Sequence, residues 1–325
     1  MTRRQPFVPI LALAALGLLA PLAAAAGSAA AEPAPKPFLW QIDGKTPSYL
    51  FGTIHVPDAR VVDLPESVER VLDAADVVLT EIPLDGSTQS TMLGAAMLPG
   101  DETLADLMPA ELYQRTASYL QTKGLVIQAF NKMKVWVLST QLSMLDYLPQ
   151  MMTTPPLDMQ IFSSAQAAGK TVGGLETVEE QLGVFEALTL EQQIALHGQA
   201  LDQLEEAAAK NTSPARELVE VYLLGDGEAL LDKMHETVDE DDPTAKQFMK
   251  LLIEDRNARM AGRIAKKLAA APESGFFFAI GAGHMPGEQG IVALLREAGL
   301  TVTRVAAAPV AAPAEAAEAP AAAGR

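Results

Sequence analysis

The sequence predicts an α/β domain in which a central mixed sheet carries a large helical insertion. Three observations lead to this prediction. Short apolar runs typical of strands occur near both ends of the chain. Long stretches with helical periodicity fill the middle. Glycine-containing turns follow two of the strand-like runs, at the position where open α/β sheets bind their ligands.

The first predicted elements are a β-hairpin, a helix and a buried strand. Residues 38–43 and 48–54 flank the turn-forming segment 44–47 (Gly-Lys-Thr-Pro) and predict the hairpin. A helical pattern covers residues 65–75, beginning at a proline. Residues 77–82 (Val-Val-Leu-Thr-Glu-Ile) then predict a short strand in the interior of the sheet.

The middle of the chain is predicted to be mostly helical, as an insertion of about residues 91–270 between the sheet segments. One core strand, residues 170–175, is predicted inside this insertion. The remaining elements are predicted at residues 103–150 (helical), from 155 (a helix that begins at Pro-Pro), 177–270 (helical), 276–280 (strand), 287–298 (helix) and 301–305 (strand).

The N-terminus has the features of a signal peptide and leader, residues 1–31. Arg3 and Arg4 form a positive end, and residues 7–20 are almost wholly apolar. Small residues predict cleavage between Ala26 and Ala31, with an uncleaved membrane anchor as the alternative. We therefore expect export to the periplasm or the medium, by the general secretory (Sec) route in preference to the twin-arginine (Tat) route.

Three further segments follow the leader. Residues 32–37 are a proline-rich linker, and residues 38–305 form a single α/β domain. Residues 306–325 are nearly all Ala, Pro and Glu, and such a tail cannot bury enough apolar surface to fold.

Charge and composition exclude several classes of partner. The chain has 24 Lys and Arg against 41 Asp and Glu, a formal net charge of −17. Such a surface disfavours nucleic acid and anionic lipid, and leaves a cationic substrate, a metal ion or a neutral chain. The absence of cysteine excludes disulfides and thiolate ligands. No segment after the signal peptide is apolar for long enough to cross a bilayer, so we expect no further membrane contact.

Two of the four histidines follow predicted strands in the same local pattern. Gly52-Thr-Ile-His55 ends the second strand, and Gly281-Ala-Gly-His284 ends the strand at 276–280. The motif glycines, which include Gly283, allow a sharp turn or a close approach to a ligand. Because ligands bind at the carboxyl ends of strands, we expect both histidines to face one cleft.

Glu81 is a third candidate because it ends the apolar strand at 77–82, which we expect to lie beside the strand of the first histidine motif. A buried carboxylate is costly unless it is paired or bound to a metal. Two histidines and a glutamate provide nitrogen and oxygen ligands that suit Zn²⁺ or Mn²⁺. The alternative is a strand-end carboxylate that caps the loop before Pro83.

The order of these motifs resembles the TraB/GumN family, which is related to the TIKI proteases that inactivate Wnt proteins and, more distantly, to erythromycin esterases. The resemblance covers about residues 38–305. It rests on the segments Leu39-Trp-Gln-Ile, Tyr49-Leu-Phe-Gly-Thr-Ile-His-Val56, Thr80-Glu-Ile, Pro156-Leu-Asp, Gly174-Leu-Glu-Thr-Val-Glu-Glu-Gln181, Asp255-Arg-Asn-Ala-Arg-Met260 and Gly281-Ala-Gly-His284.

The resemblance implies a metal-dependent hydrolase with His55, Glu81 and His284 around the metal. For TIKI proteases it implies peptide-bond cleavage with Mn²⁺ or Co²⁺. Many bacterial members have no assigned reaction, so the substrate does not transfer with the resemblance.

Three more residues are candidates for the same cleft. Glu176 is predicted to act as a base or as a partner behind the site, with a helix cap before Thr177 as the alternative. Arg256 and Asn257 lie in a predicted helix, where Arg256 would orient a carboxylate or stabilise an oxyanion unless it is merely exposed. His197 and His235 are predicted to be surface or partly buried side chains.

The sequence thus predicts hydrolysis by a water that a divalent ion (Mn, Co or Zn) activates, with Glu176 as general base. The expected substrate is a peptide or another small molecule, and neither its identity nor the oligomeric state follows from the sequence. Two alternatives from other classes stay open. One is a non-catalytic protein that binds haem or a similar planar ligand, and the other is a biogenesis factor of the envelope or of a polysaccharide.

Overall fold

A computed structural model describes residues 36–236 and 241–306 of the chain. The predicted signal peptide, its cleavage region, most of the predicted linker and the predicted tail beyond residue 306 lie outside these residues. In the described ranges, no helix is both long and apolar enough to cross a bilayer.

The centre of the fold is the predicted mixed sheet, in the order β4-β3-β5-β2-β1-β6. Its strands are β1 (Leu39–Ile42), β2 (Ser48–Thr53), β3 (Val77–Thr80), β4 (Thr171–Gly174), β5 (Phe276–Gly281) and β6 (Val302–Arg304). Strands β4, β3, β5 and β2 run parallel to one another, and β1 pairs antiparallel with β2 and β6. The predicted hairpin of β1 and β2 is confirmed.

Strand β5 lies between β3 and β2, and its composition explains this position. Phe276 to Ile280 is a continuous apolar run that is buried throughout. A parallel strand covered on both faces has this pattern, because neither face meets water. The chain reaches β5 only after its helical segment, so the strand joins sheet segments that are far apart in sequence.

Helices fill most of the remaining described chain. Strand β4 lies within the predicted helical insertion, as expected, and separates its helices into two groups. The α-helices of the described residues are α1 (Ala59–Val62), α2 (Glu66–Ala74), α3 (Gly86–Ala96), α4 (Leu104–Leu107), α5 (Ala110–Thr122), α6 (Val135–Met144), α7 (Leu148–Met151), α8 (Leu157–Ala167), α9 (Val178–Glu186), α10 (Leu190–Ala209), α11 (Pro214–Leu224), α12 (Gly227–His235), α13 (Pro243–Met249), α14 (Asp255–Ala270) and α15 (Ile291–Glu297). A π-helical turn, Lys250–Glu254, joins α13 to α14, and a 3₁₀ turn, Ala282–His284, follows β5.

The helical segment has hydrophobic cores of its own beside the core around the sheet. In one of them, the ring of Phe185 stacks on Trp136 at 4.6 Å and contacts Phe248 at 5.6 Å between centroids. Another joins α5, α6 and α10 around Leu120, Leu138 and Leu201. The helices are therefore anchored to each other as well as to the sheet.

His197 is buried in the region where α5, α6 and α10 meet, so the prediction of a surface or partly buried side chain was wrong. Its two ring nitrogens bond to hydroxyls of Thr116 at 2.9 Å and Ser139 at 2.8 Å. Burial, with a smaller contribution from the charge of Arg115, lowers its pKa to about 4. His197 is therefore a neutral structural side chain that links three helices.

The depressed pKa of His197 predicts a loss of stability in mild acid. Between pH 6.5 and about 4 the unfolded chain binds a proton at this residue that the folded chain does not bind. The contribution of His197 to the free energy of unfolding is therefore complete above pH 6.5. It falls by roughly 3 kcal/mol as the pH is lowered to 4.

Urea unfolding of the native chain and of a His197→Gln variant, at pH values from 7 to 4, measures this term. The free-energy difference between the two proteins should shrink as the pH falls, since other titrating groups are common to both. A difference that is constant over this range would contradict the assignment.

Candidate active site

The sheet topology brings the three predicted metal ligands together. Parallel pairing of β2 with β5 sets Thr53 opposite Gly281, so His55 and His284 follow neighbouring strand ends. Strand β3, on the other side of β5, places Glu81 between them. Oε1 of Glu81 lies 3.8 Å from Nε2 of His55 and 3.8 Å from Nε2 of His284.

Gly281 keeps the space between these three side chains open. Its backbone N–H donates to Oε1 of Glu81 at 2.8 Å. A Cβ atom at this position would lie 3.0 Å from that oxygen and 3.6 Å from Nε2 of His55. Gly52, in the other motif, lies against Phe38, where a Cβ would come within 2.8 Å of the phenylalanine Cβ. A side chain at Gly52 or Gly281 would therefore push away the neighbouring residues that now lie in close contact with these glycines.

Asp158 orients His55, and sequence reasoning assigned it no role. Its carboxylate accepts from Nδ1 of His55 at 2.6 Å and from the hydroxyl of Thr53 at 2.5 Å. A proton on Nδ1 leaves Nε2 to face Glu81. Asp158 shares a face of α8 with Ile161 and Ala165, both buried. A carboxylate on an apolar helix face was the signal that could have identified it.

Asn257 orients His284 in the corresponding way. Its amide nitrogen donates to the carbonyl of Gln289 at 2.7 Å, which turns Oδ1 towards Nδ1 of His284 at 2.6 Å. Because an amide oxygen only accepts, Nδ1 carries the ring proton and the lone pair of Nε2 faces the centre. The predicted site residue Asn257 thus acts through His284.

Arg256 is buried behind Glu81 and does not adopt the exposed position that was the alternative. Its guanidinium donates to Oε2 of Glu81 at 2.5 Å and to Oε2 of Glu176 at 2.8 Å. One of its nitrogens lies 3.2 Å from Nε2 of His284. The side chain is completely inaccessible to solvent. Arg256 therefore fixes both glutamates and lies against the second histidine.

Glu176 neither caps a helix nor faces the cleft as a general base. Thr177 caps α9, with Glu180 completing a capping box. The carboxylate of Glu176 is fully buried between Arg256 and Arg259, the latter at 2.7 Å. Among the residues that line the cavity described below, Glu176 is absent. Its geometry is that of the partner behind the site, which holds Arg256 in place.

The two histidines have opposite protonation preferences. Burial opposes the charged form of His55, but Asp158 and Glu81 outweigh it and raise the pKa to about 9. Burial and the nearby Arg256 lower the pKa of His284 to about 3. Although burial opposes it, Arg256 and the two histidines hold the pKa of Glu81 well below its usual range. A cationic His55, an anionic Glu81 and a neutral His284 are thus favoured at neutral pH.

These donors fit a divalent metal in type. Two imidazole nitrogens and one carboxylate oxygen converge around the gap at Gly281, and Zn²⁺ and Mn²⁺ accept this donor set. Carboxylate and amide partners on the outer ring nitrogens are the usual support of histidine ligands. Arg256 competes for the lone pair of His284. In the described residues, no group of three His, Asp or Glu side chains is spaced as a completed metal site.

A cavity leads from this centre, with about 620 Å³ of empty space including its mouth. His55, Glu81 and His284 lie on one side of it, with the turn Gly281–Gly283. The opposite wall comes from α11, α12 and the π-helical turn. It consists of Leu218, Tyr222, Leu230, Met234, Leu252 and Ile253.

Comparisons with known proteins identify the family of the chain. The sequence model of the TraB/PrgY/gumN family matches residues 38–304. Metalloprotease TIKI1 of Danio rerio is 31% identical over 82% of this chain and 62% of its own length. Metalloprotease TIKI2 of the same fish is 32% identical over 82% of this chain and 60% of its own length. Metalloprotease TIKI1 of Homo sapiens is 30% identical over 82% of this chain and 61% of its own length.

The chain therefore spans about 60% of the length of the curated relatives it matches. No solved structure matches it.

Proposed function

The chain belongs to the TraB/PrgY/gumN family, and on that premise we propose that it is a metal-dependent hydrolase that cleaves peptide bonds. Its relatives are named metalloproteases at about 30% identity, which supports a metalloprotease-like family. The observation that carries the proposal is the convergence of His55 and His284 on Oε1 of Glu81, each at 3.8 Å.

In this proposal His55, Glu81 and His284 hold Mn²⁺, Co²⁺ or Zn²⁺. A bound ion of this kind lowers the pKa of water and polarises a carbonyl. Asp158 and Asn257 hold the two imidazoles so that their Nε2 atoms point into the centre. To bind an ion, His55 would release the proton on Nε2, and the N–H of Arg256 would move away from the lone pair on Nε2 of His284.

Arg256 and Glu176 act from behind the centre. Arg256 keeps Glu81 ionised and fixed, and Glu176 with Arg259 keeps Arg256 in place. The buried, doubly paired carboxylate of Glu176 supports this positioning role better than the general-base role expected from the sequence. We further propose that the enzyme acts outside the cytoplasm, on the strength of its N-terminal sequence.

Metal analysis of the purified chain tests the proposal. The native protein, dialysed against Mn²⁺, Co²⁺ or Zn²⁺, should retain about one equivalent and cleave internally quenched peptides. A His55→Ala, His284→Ala double variant should lose both properties. A His235→Ala variant is the matched control, because this histidine is exposed and does not line the cavity. Equal metal content in all three proteins would overturn the proposed site.

A further inference from the structure

The wall of the cavity opposite the proposed metal ligands is apolar, and both histidine turns fix its position. The hydroxyl of Tyr222, on α11, donates to the carbonyl of Gly52 at 2.9 Å. On α12, Met234 packs on Gly283, where a Cβ atom would come within 2.8 Å of its sulfur. The wall is therefore held at a set position relative to His55 and His284.

Among the described residues, the side chains of this wall are apolar except for one hydroxyl and one thioether. Leu218, Leu230, Leu252 and Ile253 contribute only hydrocarbon surface. The one hydroxyl among the described side chains of this wall, that of Tyr222, donates its proton to the Gly52 carbonyl. Apart from His55 and Glu81, none of the described residues that line the cavity carries a charge at neutral pH.

From this geometry we infer that the enzyme selects peptides by an apolar side chain, such as leucine or phenylalanine, next to the bond that is cleaved. The inference rests on the proposed peptidase function and names its substrate class. Burial of an apolar side chain against this wall is favourable, whereas a charged side chain would lose its hydration without gaining a partner. The acidic net charge of the chain does not provide this selection, because salt at 0.1 M largely screens surface charges that lie more than about 10 Å away.

Leu218, at the edge of the core, allows the inference to be tested at a partly buried position. It lines the cavity but is only partly buried. A Leu218→Asp substitution places a carboxylate on the wall. Leu224 lies at the end of the same helix, is 64% exposed and lies outside the lining of this cavity. Leu224→Asp is therefore the matched control, because it adds the same charge to the same helix outside the cavity.

The probes are internally quenched peptides that are identical except for one central residue, which is Leu, Phe, Asp or Lys. With Mn²⁺, the native chain and Leu224→Asp should cleave the Leu and Phe peptides with kcat/KM at least about tenfold above the Asp and Lys peptides. Leu218→Asp should lose this preference and gain activity towards the Lys peptide. A loss of folding cannot produce that gain. Equal cleavage of all four peptides by the native chain, or an unchanged preference in Leu218→Asp, would overturn the inference.

A binding measurement separates this inference from the proposed reaction. Saturation-transfer NMR on the full chain compares N-acetyl-leucine amide with N-acetyl-lysine amide. Binding of the leucine amide that is lost in Leu218→Asp and kept in Leu224→Asp would support the apolar wall even if no peptide is cleaved. If neither amide binds selectively and peptides are cleaved without preference, the wall has no role in selection while the peptidase function stands.

Discussion

An Arg256→Met variant is expected to unfold with a free energy about 3–5 kcal/mol below that of the native chain. The substitution removes a guanidinium that lies between two buried carboxylates. Glu81 is 6% exposed at its side chain and Glu176 is fully buried, so neither can regain its hydration. Methionine fills much of the same space. The decrease in the free energy of unfolding therefore comes mainly from the unpaired carboxylates and only to a small extent from a cavity.

Two further variants separate the charge effect from local packing. Arg259→Gln removes a second, 31% exposed partner of Glu176 and should cost less than about 1 kcal/mol. Adding Glu176→Gln to Arg256→Met should recover part of the loss, because one stranded carboxylate is removed. Urea unfolding at pH 7 measures all four proteins. An Arg256→Met effect no larger than that of Arg259→Gln would show that the buried network contributes little.

The fold class and the paired histidines could be predicted because their signals are local. Apolar runs and glycine turns mark strands β2 and β5 without any knowledge of the tertiary structure. The rule that parallel strands place their ends at one edge then brings His55 and His284 together. Glu81 reaches the same edge because β3 runs parallel to these strands, but the expected neighbour was wrong: β3 pairs with β5, the strand of the second histidine motif, and β5 separates it from β2.

The supporting residues were harder to predict because their partners are distant in the chain. Arg256 contacts Glu81 across 175 positions, and Asp158 contacts His55 across 103. One local clue was available for Arg256. It lies four and eight residues before Met260 and Ile264, both fully buried, so it shares the inward face of α14. An arginine on that face requires buried acids, and Glu81 and Glu176 supply them.

The same logic applies to the structural histidine. His197 lies four and seven residues before Leu201 and Leu204, which places it on the buried face of α10. The hydroxyls that form hydrogen bonds with it come from α5 and α6, and no pattern within α10 predicts them. Helical periodicity thus indicates burial of a polar side chain, while the identity of its partners needs the tertiary structure.

An Asp158→Asn variant is expected to lower metal affinity and kcat/KM by about 10–100-fold while leaving the fold intact. The two side chains have nearly the same shape, so the contact with Thr53 can be kept. The asparagine amide, however, has one accepting oxygen and one donating nitrogen. Because the Thr53 hydroxyl donates to Oδ1 of Asp158, the amide oxygen is the atom that can replace this acceptor.

If the amide oxygen stays with Thr53, the amide N–H faces Nδ1 of His55 and forces the ring proton onto Nε2. That proton occupies the lone pair that faces Glu81, so His55 can no longer serve as a ligand. Metal titration and peptide cleavage measure the effect. Asp85→Asn is the control, because Asp85 caps α3 and asparagine caps a helix equally well. Affinity and rate within about twofold of the native values would mean that His55 does not depend on Asp158 for its orientation.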